Sequence, residues 1–179
     1  MSPSLAFGEG SIGPYVKTLK PVVASMAHPD LVQPWQNMLG FNGSVPGPEI
    51  RLRQGEELRV RLQNGMEDGA AVHWHGVRIP NHMDGVPVLT QNPVPPGAHF
   101  DYKFRPPDAG TYWYHSHYVS HEQVGHGLFG ALIVEETQPP DVDQDITVFL
   151  ADFRTGATGA FDPDFVVPSA FSTEGRIGD

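Results

Sequence analysis

Apolar and polar residues alternate with a period of two along much of the chain, the signature of strands with one buried face. From Glu49 to Asn64 the apolar positions are Ile50 and Leu52, then Leu58, Val60 and Leu62, with Gln54-Gly55-Glu56 between the runs. That spacing predicts a hairpin. Phe100, Tyr102 and Phe104 repeat the alternation between the breakers Pro95-Pro96-Gly97 and Pro106-Pro107. Ala70 to Val77 and Thr111 to His117 read as further strands, and the apolar run Gly127 to Glu135 fits a strand buried on both sides. No stretch carries a helical period for more than two turns, although Ser120 to His126 has room for one turn of helix. Short strands at this spacing imply an all-β sandwich or barrel.

The alternation closes near Glu136, and Gln138-Pro139-Pro140-Asp141 reads as a linker. Asp145 to Phe153 (DITVFLADF) is again β-prone, but the chain beyond it is Gly, Pro, Ser and acidic residues, too poor in apolar content for a core. A lone strand with a loop cannot bury enough surface to fold independently. Residues 1–137 therefore form one domain, and 138–179 either pack back on it or open a second domain that this chain does not complete. The length of 179 residues, about 1.2 typical domains, agrees with that division. Gly 20 and Pro 18 together make about 21% of the chain against a usual level near 12%, which again favours turns and strands over helices.

Net charge and cysteine content narrow the chemistry. A formal charge of −10 repels phosphate backbones and anionic lipid, so nucleic acid is not expected as a partner. No apolar run approaches the roughly 18 residues of a membrane span. With Cys 0 there is no disulfide, thiolate zinc site or cysteine nucleophile. Any metal must be held by His, carboxylate or Met.

Among the nine histidines, two pairs stand out: His73-Trp74-His75 and His115-Ser116-His117. On a strand, residues i and i+2 face the same way about 6.8 Å apart, so such a pair can clamp one ion or give one imidazole to each of two neighbouring ions. Imidazole suits copper, zinc and iron, and the lack of a carboxylate beside either pair argues against calcium or magnesium. Chance placement of the histidines yields about 0.4 such pairs, so spacing alone is only suggestive. The aromatic surroundings (Trp74; Tyr112, Trp113, Tyr114) add weight, because an unpartnered histidine is costly to bury there. His28, His82, His99, His121 and His126 stand singly and read as ordinary surface or strand-end residues.

The segments FNGSVPGPEIRLRQGEELRVRLQN, AVHWHGV, MDGVP, PPGAHFDYKFRPPDAGTYWYHSH and QVGHGLFGALIVEE, in this order, resemble the N-terminal domain of laccase-like multicopper oxidases over about Phe41 to Glu136. The resemblance implies a cupredoxin-like Greek-key β-sandwich. It also implies that four histidines are supplied to a three-copper cluster, with His73 a ligand of the type 2 copper and His75, His115 and His117 ligands of the type 3 pair. The expected activity is reduction of O2 to water with electrons from phenolic or similar donors, in a secreted or periplasmic protein. Resemblance further marks Asp84 as a candidate catalytic residue delivering protons to the cluster, although an Asp-Gly pair by itself reads as a turn.

Departures from the family pattern matter equally. Without Cys, and without a second set of His motifs, the chain cannot hold the family's blue copper and carries half of the cluster's ligands. Its expected partner is the C-terminal remainder of the same oxidase, as a separate chain or a missing segment. His126 stands where the family often has an acidic residue. DITVFLADF resembles the opening strand of the family's next domain, which points to a piece of a longer protein. Two other readings stay open: a non-enzymatic copper-binding or assembly module using the same four histidines, and a cupin-type oxygenase binding one ion through His115, His117 and Glu122.

Overall fold

The computed structural model describes residues 15–26, 35–153 and 160–162. Within them nine strands run in chain order: β1 (Tyr15–Leu19), β2 (Pro21–Met26), β3 (Trp35–Phe41), β4 (Gly47–Arg53), β5 (Leu58–Gln63), β6 (Val72–His75), β7 (His99–Phe104), β8 (Gly110–Ser116) and β9 (Phe129–Glu135). A 3₁₀ turn spans Asn81–Met83 and a four-residue helix, α1, spans Ser120–Gln123. The strands form sheets in the orders β1-β5-β7, β2-β3 and β4-β9-β8-β6. This is the all-β, cupredoxin-like sandwich that the sequence leads one to expect.

One core joins the two larger sheets. Leu58, Val60 and Leu62 of β5 and Tyr102 and Phe104 of β7 meet Ile50, Leu52, Trp74, Tyr114 and Leu132 from the four-stranded sheet. Trp74 stands edge-on to Tyr102 and to Phe104, with centroids 5.3 and 5.1 Å away. Burial also desolvates the Tyr102 hydroxyl and raises its pKa, and it accepts the Val72 N–H at 3.0 Å, bridging the sheets at the first residue of β6. Every residue of β9 except Glu135 is buried, as befits a central strand covered on both faces.

The expected hairpin between β4 and β5 does not form. β4 pairs in parallel with β9, whereas β5 pairs with β1 and β7 in the other sheet. Both strands alternate because both bury one face in the same core, and alternation says nothing about which neighbour a strand takes. The turn between them hooks each sheet instead: the Gln54 N–H donates to the Glu135 carbonyl at 2.8 Å and the Gly55 N–H to the Pro106 carbonyl at 2.9 Å. Gly55 has φ +76°, which glycine adopts without strain. Strands β1 to β3 have no counterpart in the sequence reading.

Residues 145–153 are likewise not a strand. They lie against the outer side of the four-stranded sheet. Arg51 of β4 fastens them, reaching the Asp145 carboxylate at 2.7 Å and the Thr147 hydroxyl at 3.2 Å while also pairing with Glu49 and Glu135. Phe149 stacks on Phe129 at 4.9 Å, and Phe153 meets Trp35 edge-on at 5.4 Å. The opposite side is left bare: Ile146, Val148 and Leu150 are 71, 74 and 87% exposed. Ladder pairing requires a neighbouring strand, and among the described residues none lies beside this segment.

Arg51→Ala should loosen this attachment while sparing the core, because a half-exposed ion-pair cluster contributes about 1 kcal/mol or less to global stability. Amide exchange at residues 145–149 should speed up, with the thermal midpoint falling by only about 2–4 °C. Unchanged exchange there would show that Phe149 alone holds the segment.

Candidate metal centre

The four histidines come together at the β6 edge of the four-stranded sheet. In the antiparallel pairing of β6 with β8, Val72 faces Ser116, His73 faces His115, Trp74 faces Tyr114 and His75 faces Trp113. Side chains alternate across a strand, so the core takes Val72, Trp74 and Tyr114, and the outer face collects His73, His75, Trp113 and His115. His117 lies just past β8, its N–H donating to the Ala71 carbonyl at 3.1 Å. The His73 ring is 5.7 Å from that of His75, 5.4 Å from His115 and 5.3 Å from His117.

Hydrogen bonds choose which nitrogens are left for a ligand. His73 Nδ1 donates to the Asp84 backbone carbonyl at 2.8 Å, and His115 Nδ1 to the Ser116 carbonyl at 2.9 Å, so each directs Nε2 away from the protein backbone. A carbonyl on one ring nitrogen fixes the tautomer and presents the other as a lone pair. His75 Nδ1 faces His115 Nε2 at 3.3 Å. Two nitrogens each about 2.0–2.1 Å from one ion can be at most about 4 Å apart, so this pair fits a shared ion. One nitrogen from each of His73, His75 and His115 lies within 4.8 Å of the others, the one such group among the described residues. His117 falls outside that group yet its ring is 6.0 Å from that of His115. An all-imidazole donor set of this kind fits copper.

Three features that hold the histidines went unread in the sequence. Gly85 has φ +76°, and a Cβ there would overlap the Val72 carbonyl oxygen, so only glycine lets the Asp84 loop lie close enough to β6 to reach His73. Gln123 of α1, almost fully buried, accepts the Ser116 hydroxyl at 2.5 Å and donates to the Gly69 carbonyl at 3.0 Å, clamping the end of β8 to the approach of β6. Trp113 covers the rings of His75 and His115. The Met-Asp-Gly motif hinted at the first. Nothing in the pattern marked Gln123, and Trp113 read only as surroundings.

The Asp84 carboxylate lies beside His73, its oxygen 3.4 Å from Nδ1, but the closer contact is made by its backbone carbonyl. Glu122 is not in the three-imidazole group, which removes the basis of the cupin-type reading. His126 Nδ1 donates to the Glu122 carbonyl on its own helical turn, at 2.8 Å. His28 lies outside the described residues.

A multicopper oxidase family model matches residues 23–139. Laccase-1 from Botryotinia fuckeliana is 40% identical over 120 residues, 65% of this chain and 21% of that protein. Copper resistance protein A from Pseudomonas syringae pv. tomato is 38% identical over 117 residues, 64% of this chain and 19% of that protein. Among solved structures, a multi-copper oxidase from Pseudomonas thermotolerans superposes with a TM-score of 0.82 at 40% identity, covering 94% of this chain and 40% of that one. Lac15 from a marine microbial metagenome gives 0.75 at 47% identity, covering 93% and 41%. The chain thus spans about a fifth of the length of the curated relatives it matches.

Burial pushes the His115 imidazole down to about 4, with the neighbouring His73, His75 and His117 adding to the effect and the Ser116 carbonyl opposing it. In the unfolded chain it takes its proton near 6.5. Between these values the unfolded state binds more protons than the folded one, so metal-free stability is fully present above about pH 6.5 and falls as pH drops toward 4. Urea midpoints of the metal-free protein at pH 7 and pH 4.5 should differ less for His115→Gln than for wild type. Equal differences would show that the unfolding is governed by other groups.

Proposed function

The chain belongs to the multicopper oxidase family, and from that premise we propose that it is the N-terminal cupredoxin domain of a laccase-like oxidase, supplying four histidines to a trinuclear copper cluster. The observation that carries this reading is the convergence of His73, His75 and His115 on one outer face, one ring nitrogen of each within 4.8 Å of the others. Copper is the family's cofactor, and bound at these histidines it would supply the one-electron redox chemistry that reduces O2 to water at the expense of phenolic or similar donors. The facing pair His75 and His115 would hold one ion of the type 3 pair, His117 would serve the other, and His73 the type 2 ion. The Asp84 and Ser116 carbonyls keep Nδ1 of His73 and His115 protonated, so both rings approach an ion as neutral ligands.

Residues 138–179 are the linker and opening segment of a second domain, and the bare row Ile146, Val148, Leu150 is the surface on which that domain builds. The remainder of the oxidase brings the other cluster ligands and the blue copper, which a chain with Cys 0 does not supply. A secreted or periplasmic location suits such an oxidase. No helix among the described residues is long and apolar enough to cross a membrane. A second reading, a copper-handling module without turnover, draws on the similarity to a protein named copper resistance protein A. Turnover of phenols by the full-length, copper-loaded protein decides between them: none at all would favour the module.

His73→Ala in the full-length protein should abolish the type 2 copper resonance in electron paramagnetic spectra while leaving much of the type 3 pair. An unchanged resonance would move the type 2 ion to another histidine. Asp84→Asn tests the carboxylate separately from the carbonyl, because the backbone bond to His73 survives the change. Four protons are consumed per O2, and the carboxylate beside the site is the group that relays them. Copper content should stay intact and turnover fall by about 10²-fold, the scale of losing a positioned proton donor. Wild-type turnover would return Asp84 to a turn residue.

A further inference from the structure

The imidazoles of the site are not held alike. His73 and His115 are each fixed by a backbone carbonyl on Nδ1. His75 has no such anchor: among the described residues, the one polar partner of its ring is His115 Nε2 at 3.3 Å, an atom that itself faces the site. A terminal ring torsion has broad wells, so without a hydrogen bond only packing sets the plane of the ring.

Trp113 supplies that packing. It is the direct cross-strand neighbour of His75 and precedes His115 by two residues on the same face of β8. Its indole lies 4.9 Å from the His75 ring at 34° and 4.2 Å from the His115 ring at 28°. No ring contact joins Trp113 to His73 or His117 among the described residues. On its other side Trp113 pairs in register with Ala131 of β9. One flat surface therefore touches both rings whose nitrogens face each other, and neither of the other two.

We propose that Trp113 is a positioning residue for the metal centre: its indole sets the plane of His75, and so the aim of Nδ1 at the ion shared with His115. This rests on the copper reading above. Indole acts here on His75 as a neighbouring carbonyl does for His73 and His115, by a tilted ring contact in place of a hydrogen bond.

The test uses the full-length protein, stripped of metal and titrated with copper against a competing chelator, together with the thermal midpoint of each metal-free form. Trp113→Phe keeps a flat ring and should retain affinity close to wild type. Trp113→Leu and Trp113→Met fill the space without a ring, and each should weaken copper retention by about tenfold or more, as losses of ligand-supporting groups do. In a His75→Ala background the same Leu change should cause no further loss, because the ring it orients is gone. Wild-type retention in both the Leu and Met variants would overturn the proposal. So would a loss of equal size with and without His75, or a loss accounted for by a matching drop in the metal-free midpoint, since Trp113 would then serve the fold at large. A wild-type protein retaining no copper would overturn the copper reading itself, and this inference with it.

Discussion

The site depends first on the register of β6 against β8. Its four aligned pairs place two large aromatic residues, Trp74 and Tyr114, opposite one another in the core, and thereby turn His73, His75 and His115 outward. A slip by one residue would reverse every side chain of β6. Losing a buried Trp or Phe side chain costs on the order of 3–5 kcal/mol, so the slipped register, which would expose Trp74 and bury two imidazoles without partners, is strongly disfavoured. The core on one face of the strand is what makes the histidine face on the other. Loss of Trp74 packing would therefore disturb the histidine cluster without touching a histidine.

The same logic explains which parts of this molecule can be read from the chain. Strands β4 to β9 each have a regular alternation or a solid apolar run, and their positions follow to within a residue or two. The histidine pairs are equally visible, because the i, i+2 spacing on a strand leaves them no choice but to share a face. Partner choice is different. Alternation shows that β4 and β5 each have a buried side, but both sides point into one core from opposite sheets, and the pattern of a hairpin is identical. Parallel pairing of β4 with β9 and of β1 with β5 joins residues far apart in sequence, and no local signal encodes it.

The misread segment at residues 145–153 has a related cause. Its residues favour a pleated surface, and β-propensity measures how well side chains fit beside neighbouring strands. Here one side of the segment is occupied, by Arg51 and Phe129, while the apolar row on the other is largely exposed. Propensity is satisfied on one face and left open on the other. The sequence reading took the composition for a formed strand, when what it records is a surface suited to receive one.

Support for the histidines was the least legible layer, since it is made of backbone atoms and packing. Asp84 illustrates the point. Its side chain drew attention as a carboxylate beside a histidine pair, yet the group that touches His73 most closely is its main-chain carbonyl, brought there by a glycine that tolerates φ +76° against the Val72 backbone. That arrangement separates two tasks within one residue. Orientation of His73 depends on Gly85 and the loop path, and survives any side chain at position 84 that the loop accepts. The carboxylate, 3.4 Å from the same ring nitrogen, takes no part in that closer contact. A change of side chain at position 84 can therefore leave the orientation of His73 intact, whereas a change at Gly85 that adds one methyl group and alters no charge would disturb it.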